Sequence, residues 1–488
     1  MDSSSSIKFA TVISALSKYT NVIFNLLAGA VLSRILTPED YGIVAVVMVF
    51  TAFFSLLSDM GLGTGVIQNK NLDAEDINNI YSYTVYLGIV ITFVFILFSF
   101  PLASFYEDKI YVPIGLLLSI SLLFNTLNMI PNAIMLKNKA FIKVGVRTVV
   151  SVFVSYVVAI IAAILGFKYY SLVLQAIVAS IITYFWNYLG SGLKFKICPK
   201  FNSVQKILGY SSYQFVYSII TYAARHVDAL LTGKVMGNAM LGYYNKAYNL
   251  MLYPVTYLTS VISPVLHPIL SDHQDNPEYI FKQYIKVFKI LSLMGVYITV
   301  FCFYSAEEIV LILYGNKWVE SIPCVAVLSL SIWLQMTSSS CPSIYQSLGK
   351  TKTMFYSSLM HVGVQIAFII AGIMTKDIYK LATYVSVSFV FKFLIEYYML
   401  MKKGFDVKLK EFYKLLIPEC ICFTVLFIAM HYISDISINN IILSAVFKAF
   451  ASGAIYLFLI FVTKQDKYLY LVLPTKIKNL IHRRGRFE

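Results

Sequence analysis

The chain has 488 residues, of which 59% are apolar and only 13% are charged, and its formal net charge is +15. A soluble domain carries about 25% charged residues, so lipid rather than water is the solvent for most of this chain, which excludes a soluble catalytic domain. The basic residues fall in short loops between apolar runs, so the positive charge reads as insertion topology and not as a nucleic-acid surface.

A helix needs about 20 apolar residues to cross a bilayer. On that scale the sequence predicts an all-α polytopic membrane protein with about 14 transmembrane helices. Their cores are 9–33, 43–66, 77–101, 111–135, 144–165, 171–193, 206–233, 242–270, 283–304, 323–347, 354–374, 378–402, 412–433 and 441–463. The polar start Met1–Ser6 and the polar-studded first run are not expected to form a cleavable leader. Near the end of the second span, Gly61, Gly63 and Gly65 lack the preceding strand and following Lys-Ser/Thr of a nucleotide loop. Gly61 and Gly65 are expected to share a helix face and permit close packing.

Counting alternate loops places roughly 27 Lys/Arg on the side holding both termini and roughly 7 on the other. The rich side includes Lys137, Lys139, Lys143 and Arg147, then Lys194, Lys196, Lys200 and Lys206. It continues with Lys402, Lys403, Lys408, Lys410 and Lys414, and ends with Arg483, Arg484 and Arg486. Both termini are therefore expected in the cytoplasm. The longest loop on the opposite face, Ser305–Pro323, holds Glu307, Glu308 and Trp318 and reads as a short surface helix. Cys198, Cys302, Cys324, Cys341, Cys420 and Cys422 have no zinc spacing and read as small core residues. No metal site is expected.

The first and seventh spans match at an offset of about 200 residues. Arg34 falls on Lys234, and Gly42 falls on Gly242. Span seven carries Tyr210, Gln214, Tyr217, Thr221, Arg225, Asp228 and Thr232 at steps of three and four, so they share one helix face. Span one carries Ser14, Lys18, Asn21 and Asn25 on the same steps. Two matching polar stripes an even number of spans apart predict parallel repeats. The expected division is an N-terminal lobe 1–193, a cytoplasmic linker 194–205, a C-terminal lobe 206–402, and a segment 403–488 with the last two spans and a basic tail.

A polar stripe cannot face lipid, so it faces another helix or a wet cavity. Asn and Ser suit a hydrogen-bonded helix interface. Lys18, Arg225, Asp228 and Lys246 are costlier in the membrane and favour a cavity. Three of these four are cations, which suits an anionic substrate, and arginine grips phosphate in a planar fork. Asp228 lies one turn from Arg225, so it either pairs with it or, with His226, takes up and releases a proton. Arg34, Lys234 and Arg147 lie near span ends, where snorkelling explains them. His361 reads as a hydrogen-bonded core histidine, and Lys392 with Glu396 as a local ion pair at i,i+4.

The stretch Leu32–Ser33–Arg34–Ile35–Leu36–Thr37–Pro38–Glu39–Asp40–Tyr41–Gly42, followed by Asp59–Met60–Gly61–Leu62–Gly63 and Val66–Ile67–Gln68, resembles the opening of bacterial Wzx-type polysaccharide exporters. Asp228, Gly233–Lys234, Gly237 and Leu241–Gly242–Tyr243–Tyr244–Asn245–Lys246–Ala247–Tyr248, with Pro264 and Pro268 after them, resemble that family's second half. The resemblance runs over most of the chain. It implies membership of the multidrug/oligosaccharidyl-lipid/polysaccharide exporter superfamily. The implied fold is two pseudo-symmetric six-helix lobes around a central cavity, plus two C-terminal helices, working by alternating access. The implied cargo is an undecaprenyl-pyrophosphate-linked oligosaccharide, carried from the cytoplasmic to the outer leaflet of the bacterial inner membrane. Membrane lipids and polysaccharide polymerase machinery are the implied partners, with no nucleic acid and no cofactor. Coupling to a proton or sodium gradient stays open.

On this reading Lys18, Arg225 and Lys246 bind the anionic headgroup, while Asn21, Asn25, Gln214 and Tyr217 contact sugar beside Thr221 and Asp228. The chain is then a transporter and not an enzyme. The alternatives are a cation-coupled multidrug exporter of the same superfamily, and a membrane-embedded polymerase or acyltransferase. The first would carry more carboxylate in its cavity. The second would need a large outer loop, or an intramembrane His with a partner.

Overall fold

The computed structural model describes residues 3–69, 71–271, 273–436 and 438–468, excepting the side chains of 3–18, 208–218, 220, 221, 223, 224 and 260–269. In chain order the helices are α1 (Ser3–Ile35), α2 (Pro38–Asp59), α3 (Leu62–Gln68), α4 (Ala74–Tyr106), α5 (Tyr111–Leu127), α6 (Met129–Lys137), α7 (Phe141–Ile164), α8 (Tyr170–Ser191), α9 (Phe201–Met236) and α10 (Asn238–Ser271). They continue with α11 (Pro277–Tyr304), α12 (Ala306–Leu313), α13 (Ile322–Ser329), α14 (Ile332–Ser338), α15 (Cys341–Ser347), α16 (Thr351–Met374), α17 (Ile378–Met399), α18 (Leu409–Ser434) and α19 (Ile441–Val462). No strand occurs among the described residues.

Local chemistry sets the helix starts. Thr37 caps α2 in a reciprocal box: its hydroxyl accepts from the Asp40 amide at 3.2 Å, and the Asp40 carboxylate accepts from the Thr37 amide at 2.9 Å. Asp73 caps α4 by accepting from the Asp76 amide at 2.6 Å. The second predicted span is broken where Met60 and Gly61 both take left-handed backbone, so Gly61 ends up outside the helix face it was expected to share. Gly65 does serve close packing, because a Cβ there would lie 2.9 Å from Ile207 Cβ on α9.

Internal packing divides the chain into two units, Met1–Asn245 with Leu313–Lys317, and Lys246–Ile312 with Trp318–Glu488. In the first, α2, α4, α5, α7 and α8 enclose a core around Val47, Phe95, Ile114, Leu122 and Val173. The basic connection to α9, and the start of α9 itself, are strapped to the acidic first turn of α4. Lys196 and Lys200 reach Glu75 at 3.3 and 3.2 Å, and Lys206 reaches Asp76 at 2.6 Å.

In the second unit, α11 is the hub. Lys289 on α11 is buried against Glu419 on α18 at 2.7 Å, and its ammonium also donates to the Leu415 carbonyl. Lys448 on α19 meets Glu308 on α12 at 2.5 Å, and Ser444 donates to the same carboxylate. The segment 305–323 does hold a short helix, α12, but not a surface one. Glu308 is buried by that pair, and Trp318 is fully buried in a 3-10 turn. Glu396 is buried facing Ser338 and Cys341, and Lys392 lies over the Phe389 ring instead of pairing with it. Cys198 and Cys420 are exposed, contrary to a core role, while Cys324, Cys341 and Cys422 are buried. His361 is half-buried on α16.

Ten helices among the described residues are long and apolar enough to cross a membrane, or eleven if the pair bent by 51° across 316–347 counts as one span. The remaining predicted spans 9–33, 206–233 and 242–270 coincide with α1, α9 and α10, helices of 33, 36 and 34 residues that are described only in part.

Candidate functional site

The helix α9 carries the longest polar stripe, and tyrosines fix its rotation. The Tyr222 hydroxyl donates to the Val49 carbonyl of α2 at 2.6 Å, and the Tyr106 hydroxyl of α4 donates to the Leu230 carbonyl at 2.9 Å. Held this way, α9 leaves Arg225 exposed and buries Asp228. The Asp228 carboxylate accepts from the Tyr244 hydroxyl at 2.8 Å and from the Ala229 amide at 2.8 Å. Among the described residues no ion pair joins it to Arg225 and no hydrogen bond joins it to His226. The His226 ring lies 4.3 Å from the Tyr222 ring. A carboxylate satisfied by neutral donors does not cancel the nearby guanidinium, so the exposed cation keeps its capacity for an anion.

On α1 the two described stripe residues bind each other. Asn25 donates to the Asn21 side-chain oxygen at 2.7 Å, and the Tyr156 hydroxyl of α7 donates to Asn25 at 2.9 Å. The Asn21–Asn25 bond lies within α1, and the Tyr156 hydroxyl is the contact that crosses to α7. Lys246 belongs to the second unit, where its ammonium lies 5.5 Å above the Trp318 ring, within cation–π range. Lys18, Ser14, Tyr210, Gln214, Tyr217 and Thr221 have side chains outside the described residues, as do Pro264, Pro268 and the basic tail.

The structure thus brings Asp228 to Tyr244 and Asn25 to Tyr156, and separates Asp228 from Arg225. Tyr156, Tyr244 and Trp318 are the partners that spacing within one helix does not reveal. Tyr244 had a signal, since it stands in the Leu241–Tyr248 motif. Lys234, near the end of α9, pairs with Glu107 at 2.7 Å. Among the described residues no three His, Cys, Asp or Glu side chains group as metal ligands.

Residues 31–323 match a family described as polysaccharide biosynthesis protein, and this chain belongs to it. It is 24% identical over 341 residues to an uncharacterized membrane protein in the cps region of Klebsiella pneumoniae, covering 69% of this chain and 70% of that one. It is 23% identical over 352 residues to the lipopolysaccharide biosynthesis protein WzxC of Escherichia coli (strain K12), covering 70% of each. Among solved structures, the lipid II flippase MurJ in an inward closed conformation superposes with a TM-score of 0.72 at 15% identity, over 95% of this chain and 100% of that one. The fold is therefore that of MurJ.

Proposed function

We propose that this chain carries an undecaprenyl-pyrophosphate-linked oligosaccharide from the cytoplasmic to the outer leaflet of the bacterial inner membrane. A pyrophosphate-sugar headgroup is anionic and cannot cross hydrocarbon unaided. The observation that carries the reading is the division of roles on α9, where Asp228 is buried and satisfied by Tyr244 while Arg225, one turn away, is exposed within a membrane-length helix. Membership of the polysaccharide biosynthesis family supports the glycan, and likeness to a flippase supports translocation as well as binding.

In this proposal the chain crosses the membrane fourteen times, with both termini in the cytoplasm, as two lobes (1–193 and 206–402), a linker 194–205, and a final segment 403–488. The lobes alternate access to the two faces. Arg225, Lys18 and Lys246 take the phosphates, Asn21, Asn25, Gln214, Tyr217 and Thr221 take sugar hydroxyls, and Asp228 with His226 serves coupling to a proton or sodium gradient. A polymerase working on the delivered repeat units is the proposed partner. A multidrug exporter is less well supported, because the exposed charge of α9 is cationic.

The test is the sidedness of lipid-linked glycan in cells depleted of this protein, probed in spheroplasts with a lectin before and after lysis. Accumulated glycan that reacts only after lysis is the expected result. Accumulation already accessible on the outer face, or no accumulation, would sink the reading.

A further inference from the structure

Arg147 sits in the second turn of α7, where snorkelling to the interface accounts for it by sequence position alone. Its guanidinium points elsewhere. Nη1 donates to the Asn132 side-chain oxygen on α6 at 2.9 Å, Nη2 donates to the Thr148 hydroxyl at 3.2 Å, and Nε is buried with no hydrogen-bond partner. Asn187 on α8 is fully buried, and it donates to Asn128 at 2.8 Å and to the same Asn132 oxygen at 3.4 Å. Its own side-chain oxygen is buried and has no partner. Asn132 therefore ties Arg147 to Asn187, and all of these residues lie in the first unit.

No carboxylate lies within ion-pair distance of Arg147 among the described residues. A guanidinium drawn into a membrane-spanning bundle without a counter-charge is costly, and neutral carboxamides offset only part of that cost. An anion would supply that counter-charge. The fork of a guanidinium matches two oxygens of a phosphate, which a point charge would not require. The leftover groups are also informative: one donor, Arg147 Nε, and one acceptor, Asn187 Oδ1, stand unfilled. Arg147 as a whole is only half-buried, and a phosphoryl group entering beside it would offer an acceptor to Nε and a hydroxyl to Asn187 Oδ1.

We infer that Arg147, Asn132 and Asn187 form a phosphoryl-lipid subsite in the first unit, separate from Arg225. The proposed topology puts it towards the cytoplasmic leaflet, because α7 follows the basic loop holding Lys137, Lys139 and Lys143. Only the choice of lipid rests on the flippase reading. The pyrophosphate of a polyprenyl carrier and the phosphodiester of an anionic phospholipid share the required chemistry.

The full chain in phosphatidylcholine nanodiscs is titrated with undecaprenyl pyrophosphate and, separately, with phosphatidylglycerol, and bound lipid is resolved by native mass spectrometry. Arg147→Gln is expected to weaken retention of at least one probe by about tenfold or more, and Arg147→Lys by less, since the charge survives without the fork. Loss confined to undecaprenyl pyrophosphate identifies a carrier site, and loss confined to phosphatidylglycerol a phospholipid site. Wild-type affinity of Arg147→Gln for both probes, or no binding of either by the wild type, overturns the inference. Should Arg147→Gln fail to fold, Asn187→Ala supplies the same comparison. Unchanged glycan sidedness on depletion would remove the flippase reading and leave the phospholipid arm standing.

Discussion

Gly42 and Gly242 each press against the helix that carries the other. A Cβ at Gly42 would overlap the Asn238 carbonyl, and a Cβ at Gly242 would overlap the Pro38 carbonyl. Gly42 is four residues from Pro38, and Gly242 is four residues from Asn238, so the contact exchanges equivalent positions of α2 and α10. Such reciprocity is the mark of a local two-fold relation. The contact lies at the first turn of both helices, all within the first unit.

Gly42→Ala and Gly242→Ala should each push α2 and α10 apart. Overpacking of this kind costs about 1–3 kcal/mol. Because both act on one contact, the double variant should lose clearly less than the sum of the singles. Thermal unfolding of the four proteins in one detergent measures this. Additive losses would show that the two glycines act independently.

A second expectation concerns the last two membrane helices. Lys289 and Glu419 are both almost fully buried, so removing one leaves an uncompensated charge. Lys289→Met or Glu419→Leu should each cost about 3–5 kcal/mol, whereas the pair replaced together should recover most of that loss. Lys448 and Glu308 make the same argument for α19. Thermal unfolding and membrane yield are the readouts. A double variant as unstable as the singles would mean that the Leu415 carbonyl, and not the ion pair, holds Lys289 in place.

These pairs show where sequence reasoning stops. Spans are legible because the bilayer imposes a length on every apolar run. The stripe on α9 is legible because helix period puts residues 225, 228 and 232 on one side. Partners on other helices are not encoded in that period. Glu396 looks paired with Lys392 at i,i+4, yet it turns inward, since α17 buries that face and leaves Lys392 over Phe389. Trp318 looks like a surface residue because its segment is short and carries acidic groups, but Glu308 is neutralised by Lys448 and the turn folds inward. Asn25 reads by residue type as a hydrogen-bonded helix-interface group, and its partner on α7, Tyr156, is invisible to the period of α1. Asp228 reads first as a partner of Arg225 one turn away, but its carboxylate is held by Tyr244 and the Ala229 amide instead.

That arrangement separates the roles of Arg225 and Tyr244. Arg225→Ala removes the exposed guanidinium and touches no hydrogen bond of the buried carboxylate, so export of lipid-linked glycan should be abolished while the protein reaches the membrane at normal levels. Arg225→Lys should keep part of the export, because the charge remains and the bidentate fork is lost. Tyr244→Phe should do the reverse. It takes one of two donors from buried Asp228, which costs about 1–3 kcal/mol of stability, and it leaves the cation exposed for the headgroup. Immunoblots of membranes, thermal unfolding and the spheroplast sidedness assay together distinguish the two outcomes. Wild-type export from Arg225→Ala would remove that residue from the translocation path. Loss of export from Tyr244→Phe at unchanged stability would mean that the Tyr244–Asp228 bond acts in the transport cycle and not only in holding α9 against α10.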